Sequence, residues 1–117
     1  MVLKKREIEN YLVQNNLYNH SVHFVWSTVG GSYFILAIDE VKLVLLPITS
    51  LGHISGEIHL LERENIEILE MKKILLGYKL KVKPVDDVAE TFIIRPFMLG
   101  YKGQGEALQS ILKMFNK

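Results

Sequence analysis

Residues 22–97 form a succession of short apolar runs separated by turn-forming residues. The runs, such as VHFVWSTV and VKLVLLPI, are rich in β-branched, aromatic and other apolar side chains, a composition that favours strands. Turn signals such as Gly30-Gly31 stand between them, and glycine suits tight hairpins because it adopts positive φ at little steric cost. This pattern predicts about seven antiparallel strands joined by short turns.

The turn signals divide this region into predicted strands at residues 22–29, 32–39, 41–48, 57–62, 66–73, 78–84 and 91–97. In the sixth strand Tyr78, Leu80 and Val82 alternate with lysines, which predicts that the apolar side chains face the core and the lysines face outward. We interpret a slip of the alternation at Leu69 as a β-bulge. Gly77 is predicted to adopt positive φ in the turn that follows.

The spacing of apolar residues becomes helical at both ends of the chain. Residues 103–116 carry apolar side chains three or four positions apart, which predicts an amphipathic closing helix. We expect its apolar stripe to be buried against the sheet, with Trp26 in the core beneath the helix. The stripe consists of Leu108, Ile111, Leu112 and Phe115. Residues 3–17 are also predicted to be helical, but their apolar stripe is narrow.

Length and composition favour a single domain over residues 1–117, with a helical extension at 1–20, a β region at 22–97 and the closing helix at 103–116. Apolar residues make up 49% of the chain, which is enough for a core. No cysteine is present, which excludes disulfides and thiolate metal sites. The start, MVLKKREIEN, does not look like a signal peptide, and no apolar run approaches the roughly 20 residues that span a bilayer, so we expect a soluble cytoplasmic protein.

Charge is unevenly distributed although the net charge is only +1. Residues 57–70 are rich in glutamate, whereas residues 71–83 contain lysines and no acid. These lysines, here called the lysine stripe, are Lys72, Lys73, Lys79, Lys81 and Lys83. They are a candidate site for an anionic ligand or a membrane surface, but they also fit a solvated or protected strand and pairing with the acidic segment. We favour the solvated face, and we expect no nucleic-acid binding because few aromatic residues accompany the lysines.

Three segments resemble bacterial pleckstrin-homology-like (PH-like) proteins. They are YFILAIDEVKLVLLPIT, ILLGYKLKVKP and GQGEALQSILKMF, and the similarity of pattern covers residues 22–115. The resemblance implies a mainly β (α+β) fold, a seven-stranded antiparallel barrel or split sandwich with a C-terminal helix, to which this chain adds an N-terminal helix. It also implies a binding or assembly module. Eukaryotic relatives in fold bind phosphoinositides through a basic loop, but the corresponding STVGGS has no Lys or Arg.

No set of residues identifies a reaction, and no serine lies on a recognisable nucleophile turn. Two histidine pairs have spacings that often arise by chance, so we do not expect a metal site. They are His20 with His23 and His53 with His59. GYKGQGEA lacks the glycine spacing of phosphate-binding loops and is interpreted as a hinge into the last helix.

We therefore expect a non-enzymatic module without a cofactor, which acts by protein–protein contact or by self-association. Residues 3–17 or an exposed strand edge are the expected contact surfaces, and the expected assembly is a homo-oligomer. The alternative is that the lysine stripe binds an anionic ligand or a membrane surface.

Overall fold

The computed structural model describes residues 5–17, 22–98, 101 and 103–115. In this part of the chain one helix precedes seven strands and a second helix follows them. The helices are α1 (Lys5–Gln14) and α2 (Gln104–Phe115). The strands are β1 (His23–Val29), β2 (Ser32–Ile38), β3 (Lys42–Ile48), β4 (His59–Glu62), β5 (Ile66–Ile74), β6 (Gly77–Pro84) and β7 (Glu90–Ile94).

All seven described strands pair antiparallel in one sheet, in the order β4-β3-β2-β1-β7-β6-β5. The two edge strands, β4 and β5, are consecutive in the chain and are joined by a 3-10 helix at Arg63–Asn65. Because this short connection keeps the two edges near each other, the sheet curls into a half-barrel. The predicted mainly β class, the number of strands and their antiparallel pairing are confirmed.

The strand bounds differ from the prediction by one or two residues at several ends, including the start of β4 at His59, and two further details differ for a physical reason. β7 ends at Ile94, before the predicted end, because Pro96 has no N–H to donate to a continuing ladder. The register shift of β5 lies between Ile66 and Ile68, before the predicted slip at Leu69. Alternation locates a bulge only loosely, since an inserted residue reverses the faces of all the residues that follow it.

Apolar side chains cover both faces of β1, β2 and β3. On one face Ile8 and Leu12 of α1 are almost completely buried against these strands. On the concave face Leu108 and Ile111 of α2 pack against side chains from both halves of the sheet. The apolar stripe of α1 is therefore occupied within its own chain. A contribution of residues 3–17 to contacts between copies stays a prediction, and residues 3 and 4 lie outside the described part of the chain.

The apolar stripe of α2 is only partly enclosed. Leu108 and Ile111 are fully buried, as predicted, whereas Leu112 and Phe115 are half-buried while still contacting the same cluster. The last turn of α2 contacts the β4–β5 connection, where the guanidinium carbon of Arg63 lies 5.9 Å from the centre of the Phe115 ring. The predicted burial of the stripe is thus correct for its first half only, because its second half meets a short connection.

Gln104, the first residue of α2, is hydrogen-bonded to the backbone at the place where β1 and β7 adjoin. In the described chain these strands share one residue pair, Thr28 with Ile93. Two residues further along, where Trp26 would pair with Arg95, the Gln104 side chain lies between them. Its Oε1 accepts from the N–H of Trp26 at 2.9 Å, and its Nε2 donates to the carbonyl oxygens of Trp26 at 3.0 Å and Arg95 at 2.9 Å. Gln104 is thus buried and anchored, unlike the hinge residue that the sequence predicts.

The indole of Trp26 lies on the α1 face of the sheet. It stacks on Tyr33 with ring centres 5.6 Å apart, and it packs against the α1-side cluster. The neighbouring Val25 points instead to the α2 side. The prediction that Trp26 lies beneath the closing helix is therefore wrong, because alternation along β1 sends its side chain to the opposite face.

Candidate interaction surface

The hairpin formed by β5 and β6 carries most of the lysine stripe on its outer face. Leu80 and Val82 are buried and the lysines beside them point outward, as the alternation predicts. The residue pairs across this outer face are Ile68–Lys83, Glu70–Lys81, Lys72–Lys79 and Ile74–Gly77. β5 is an edge of the sheet, whereas β6 lies between β5 and β7. Edge protection therefore cannot account for the lysines of β6.

The lysine stripe is neutralised at one end of the hairpin and not at the other. Lys83 forms an ion pair with Glu67, and Lys81 lies directly opposite a second glutamate, so the predicted pairing with the acidic segment is confirmed there. Lys72 lies directly opposite Lys79, and neither has an ion-pair partner among the described residues. Like charges in this position repel one another, so an external anion would be most favourable at this end.

The turn of the hairpin exposes two leucines, Leu75 and Leu76. Gly77 follows with a φ of 127°, and a Cβ at this position would lie 2.3 Å from the carbonyl oxygen of Ile94, so the close approach requires glycine. Arg95 donates from Nη1 to the carbonyl oxygen of Leu76 and holds the turn against the end of β7. The predicted turn and the positive φ of Gly77 are confirmed. Nothing in the sequence pattern predicts that both leucines face solvent.

Two other concave surfaces bear on the sequence predictions. A groove of about 390 Å³ beside the β1–β2 turn has no charged residue in its lining, in agreement with a loop that lacks Lys and Arg. A pocket of about 180 Å³ has an apolar floor and is bordered by His59, Asp87 and Glu90. Within the described ranges no three His, Asp or Glu residues lie together in a way that could hold a metal ion. His20 lies outside those ranges.

No family model matches this chain, and neither does any curated protein or solved structure. Neither α1 nor α2, as described, is long and apolar enough to cross a membrane.

Proposed function

We propose that this chain is a non-enzymatic association module of the PH-like kind, in which two copies pair through their β5 edge strands. The strand order, with a C-terminal helix packed into a curled antiparallel sheet, supports the PH-like interpretation. The edge position of β5 supports self-association, because the outward N–H and C=O groups of an edge strand can bind a second strand.

The charge pattern of β5 is the observation that carries this proposal. β5 has nine residues, whereas β4, the other edge, has only four. Glu67 and Glu70 lie in the first part of β5, and Lys72 and Lys73 lie in the second part. When two such strands run antiparallel, the acidic part of each lies against the basic part of the other. Opposite charges on directly paired residues stabilise a sheet, so the strand is complementary to itself.

The favoured register of the two β5 strands has Met71 on the two-fold axis of the dimer, because opposite charges are then directly paired. Glu70 of each copy then faces Lys72 of the other, and Ile68 faces Ile74, so each contact occurs twice. With Glu70 on the axis, two glutamates would face each other and repel. The favoured register also supplies a carboxylate to a lysine that has no ion-pair partner among the described residues of its own chain.

Charge reversal tests this pairing. Either Glu70→Lys or Lys72→Glu alone would place like charges opposite each other twice in the dimer. Since a cross-strand pair contributes roughly 0.2–1 kcal/mol, we expect the dissociation constant to rise about tenfold. The combined variant restores opposite charges and should dimerise like the parent. Glu57→Lys, at an exposed residue outside β5, is the matched control and should have no effect.

Sedimentation equilibrium at micromolar concentrations measures the constant, and circular dichroism checks that each variant is folded. A parent that remains monomeric would refute the proposal. A dimer with the same constant in all the variants would also refute it, because association would then use another surface.

A further inference from the structure

The β5–β6 turn has two apolar side chains at its tip. The positive φ of the turn falls on Gly77, and the two residues before this glycine have negative φ, so the backbone of the turn does not dictate their side chains. These two residues are Leu75 and Leu76, whose side chains are 94% and 67% exposed. Phe97, also exposed, follows β7 at the end of the sheet that adjoins this turn. A group of exposed apolar side chains at one end of a sheet indicates an interaction site.

Counted from the turn, successive residue pairs of the hairpin change from uncharged to charged. The environment changes in the same order from the apolar interior of a bilayer to its charged surface. The residue pairs, in this order, are Ile74–Gly77, Lys73–Tyr78 and Lys72–Lys79. An uncharged pair comes first, then a lysine with an amphipathic tyrosine, then two lysines. With a rise of about 3.3 Å per residue, the two charged pairs lie roughly 3 and 7 Å behind the first pair. Apolar groups on peripheral proteins enter a membrane by a similar distance, about 5–10 Å.

This end of the hairpin is cationic throughout. Residues 71–85 include no acid. Lys72 and Lys79 face each other, and neither forms an ion pair with another described residue. Phosphate groups of acidic lipids would relieve this repulsion. Each basic residue close to an acidic membrane strengthens binding about fivefold.

We infer that the β5–β6 turn is a membrane-insertion site for bilayers that contain acidic phospholipid. Leu75 and Leu76 enter the boundary between headgroups and acyl chains, while Lys72 and Lys79 bind headgroup phosphates. The occupant is a bilayer, because an apolar tip followed by a cationic layer complements both the apolar interior and the negative surface of an acidic membrane.

This inference does not require the proposed dimer, but the two share Lys72. In the dimer Glu70 of the second copy faces this lysine, so the monomer has the stronger membrane site. Strands of an antiparallel β5 pair run in opposite directions, so the turns of the two copies point away from each other. A dimer therefore presents only one turn to a flat membrane and gains no avidity from the second.

Flotation with phosphatidylcholine vesicles, with and without phosphatidylserine, tests the site. The parent should bind the acidic vesicles, less tightly as salt increases, and should bind the neutral vesicles poorly. Replacing both leucines by serine should weaken binding at least about tenfold, because two apolar side chains leave the bilayer. Lys72→Gln with Lys79→Gln should weaken it about 25-fold at low salt. Leu51→Ser is the matched control, since Leu51 is exposed on the β3–β4 connection, and it should have no effect.

A parent that does not bind acidic vesicles would overturn the inference, and a protein would then be the better candidate partner for the turn. Binding that depends on the lysines but not on the leucines would also overturn it, because contact would then be electrostatic without insertion. Leu75→Trp supplies a direct readout: its emission should shift to the blue and be quenched by brominated lipid. The leucine variants should fold normally, because Leu75 has little contact with its own chain.

Discussion

The Gln104 side chain replaces a missing part of the β1–β7 ladder. Its carboxamide makes three hydrogen bonds, two to the backbone of Trp26 and one to that of Arg95. Gln104 is 1% exposed, so water cannot readily take over this role. We expect the joint between the two halves of the sheet to depend on it.

Gln104→Met isolates these hydrogen bonds, because methionine keeps the approximate length and volume of the side chain without its amide. With about 0.5–1.5 kcal/mol for each bond, the loss should be about 1.5–4.5 kcal/mol. This is a large part of the 5–15 kcal/mol that typically separates folded from unfolded domains. Gln109→Met is the matched control, since Gln109 lies exposed on the same helix and should change stability by less than about 0.5 kcal/mol.

Gln104→Glu adds a dependence on pH. A carboxylate cannot donate to the carbonyl oxygens of Trp26 and Arg95, whereas the protonated acid can donate to one of them. Burial and the two carbonyl dipoles should therefore raise the pKa of the new carboxyl group above its ordinary value of about 4.3. A raised folded-state pKa means that this variant, relative to the parent, is most stable below about pH 4 and loses stability as pH rises through that pKa.

Urea unfolding measures these free energies, with the emission of Trp26, the only tryptophan, and circular dichroism as independent probes. Each variant is compared with the parent at the same pH, which cancels the titration of other carboxyl groups. A loss below about 1 kcal/mol for Gln104→Met would contradict the reasoning, since one ordinary hydrogen bond would then account for it. A Gln104→Glu variant with the same pH profile as the parent would contradict it as well.

Tyr101→Phe should remove an alkaline loss of stability. Burial, together with the negative charge of Glu9, raises the pKa of Tyr101 from 10.0 to about 12. The folded chain thus holds this proton more tightly, and stability that is complete below about pH 10 falls by about 2–3 kcal/mol as pH rises towards 12; urea unfolding should detect this in the parent only. Leu12→Ala should cost about 2–5 kcal/mol in urea unfolding without changing the oligomeric state by light scattering, because Leu12 is buried within its own chain. A changed state would contradict this assignment.

The direction of each side chain on β6 could be predicted because it depends only on alternation within one strand. Leu80 and Val82 are buried and the lysines between them face outward, as expected. Which strands lie at the edges could not be predicted in the same way. That depends on β1 pairing with β7, which lie far apart in the sequence, and it places Lys72 on an edge strand but Lys79 on an interior strand.

Hydrophobicity was a poor guide to burial at two places. The apolar stripe of α1 is narrow, yet Ile8 and Leu12 are almost completely buried against the outer face of the first three strands. Leu75 and Leu76 are as apolar as core residues, yet their position in the turn leaves them mostly exposed. In both cases the position of the element in the fold determined whether an apolar side chain found a partner.

The sequence by itself determined the number of strands, their antiparallel turns, the closing helix and the glycine of the β5–β6 turn. Each of these depends on residues a few positions apart, whose periodicity and backbone preferences are visible along the chain. Only the tertiary structure determined the joint in which Gln104 binds the backbone of Trp26, 78 positions away, and in which the Tyr101 hydroxyl donates to the carbonyl oxygen of Phe24. Every residue has nearly the same backbone N–H and C=O groups, so the sequence does not indicate which of these groups a polar side chain will bind. Folding selects the partner by bringing β1 and the segment after β7 together.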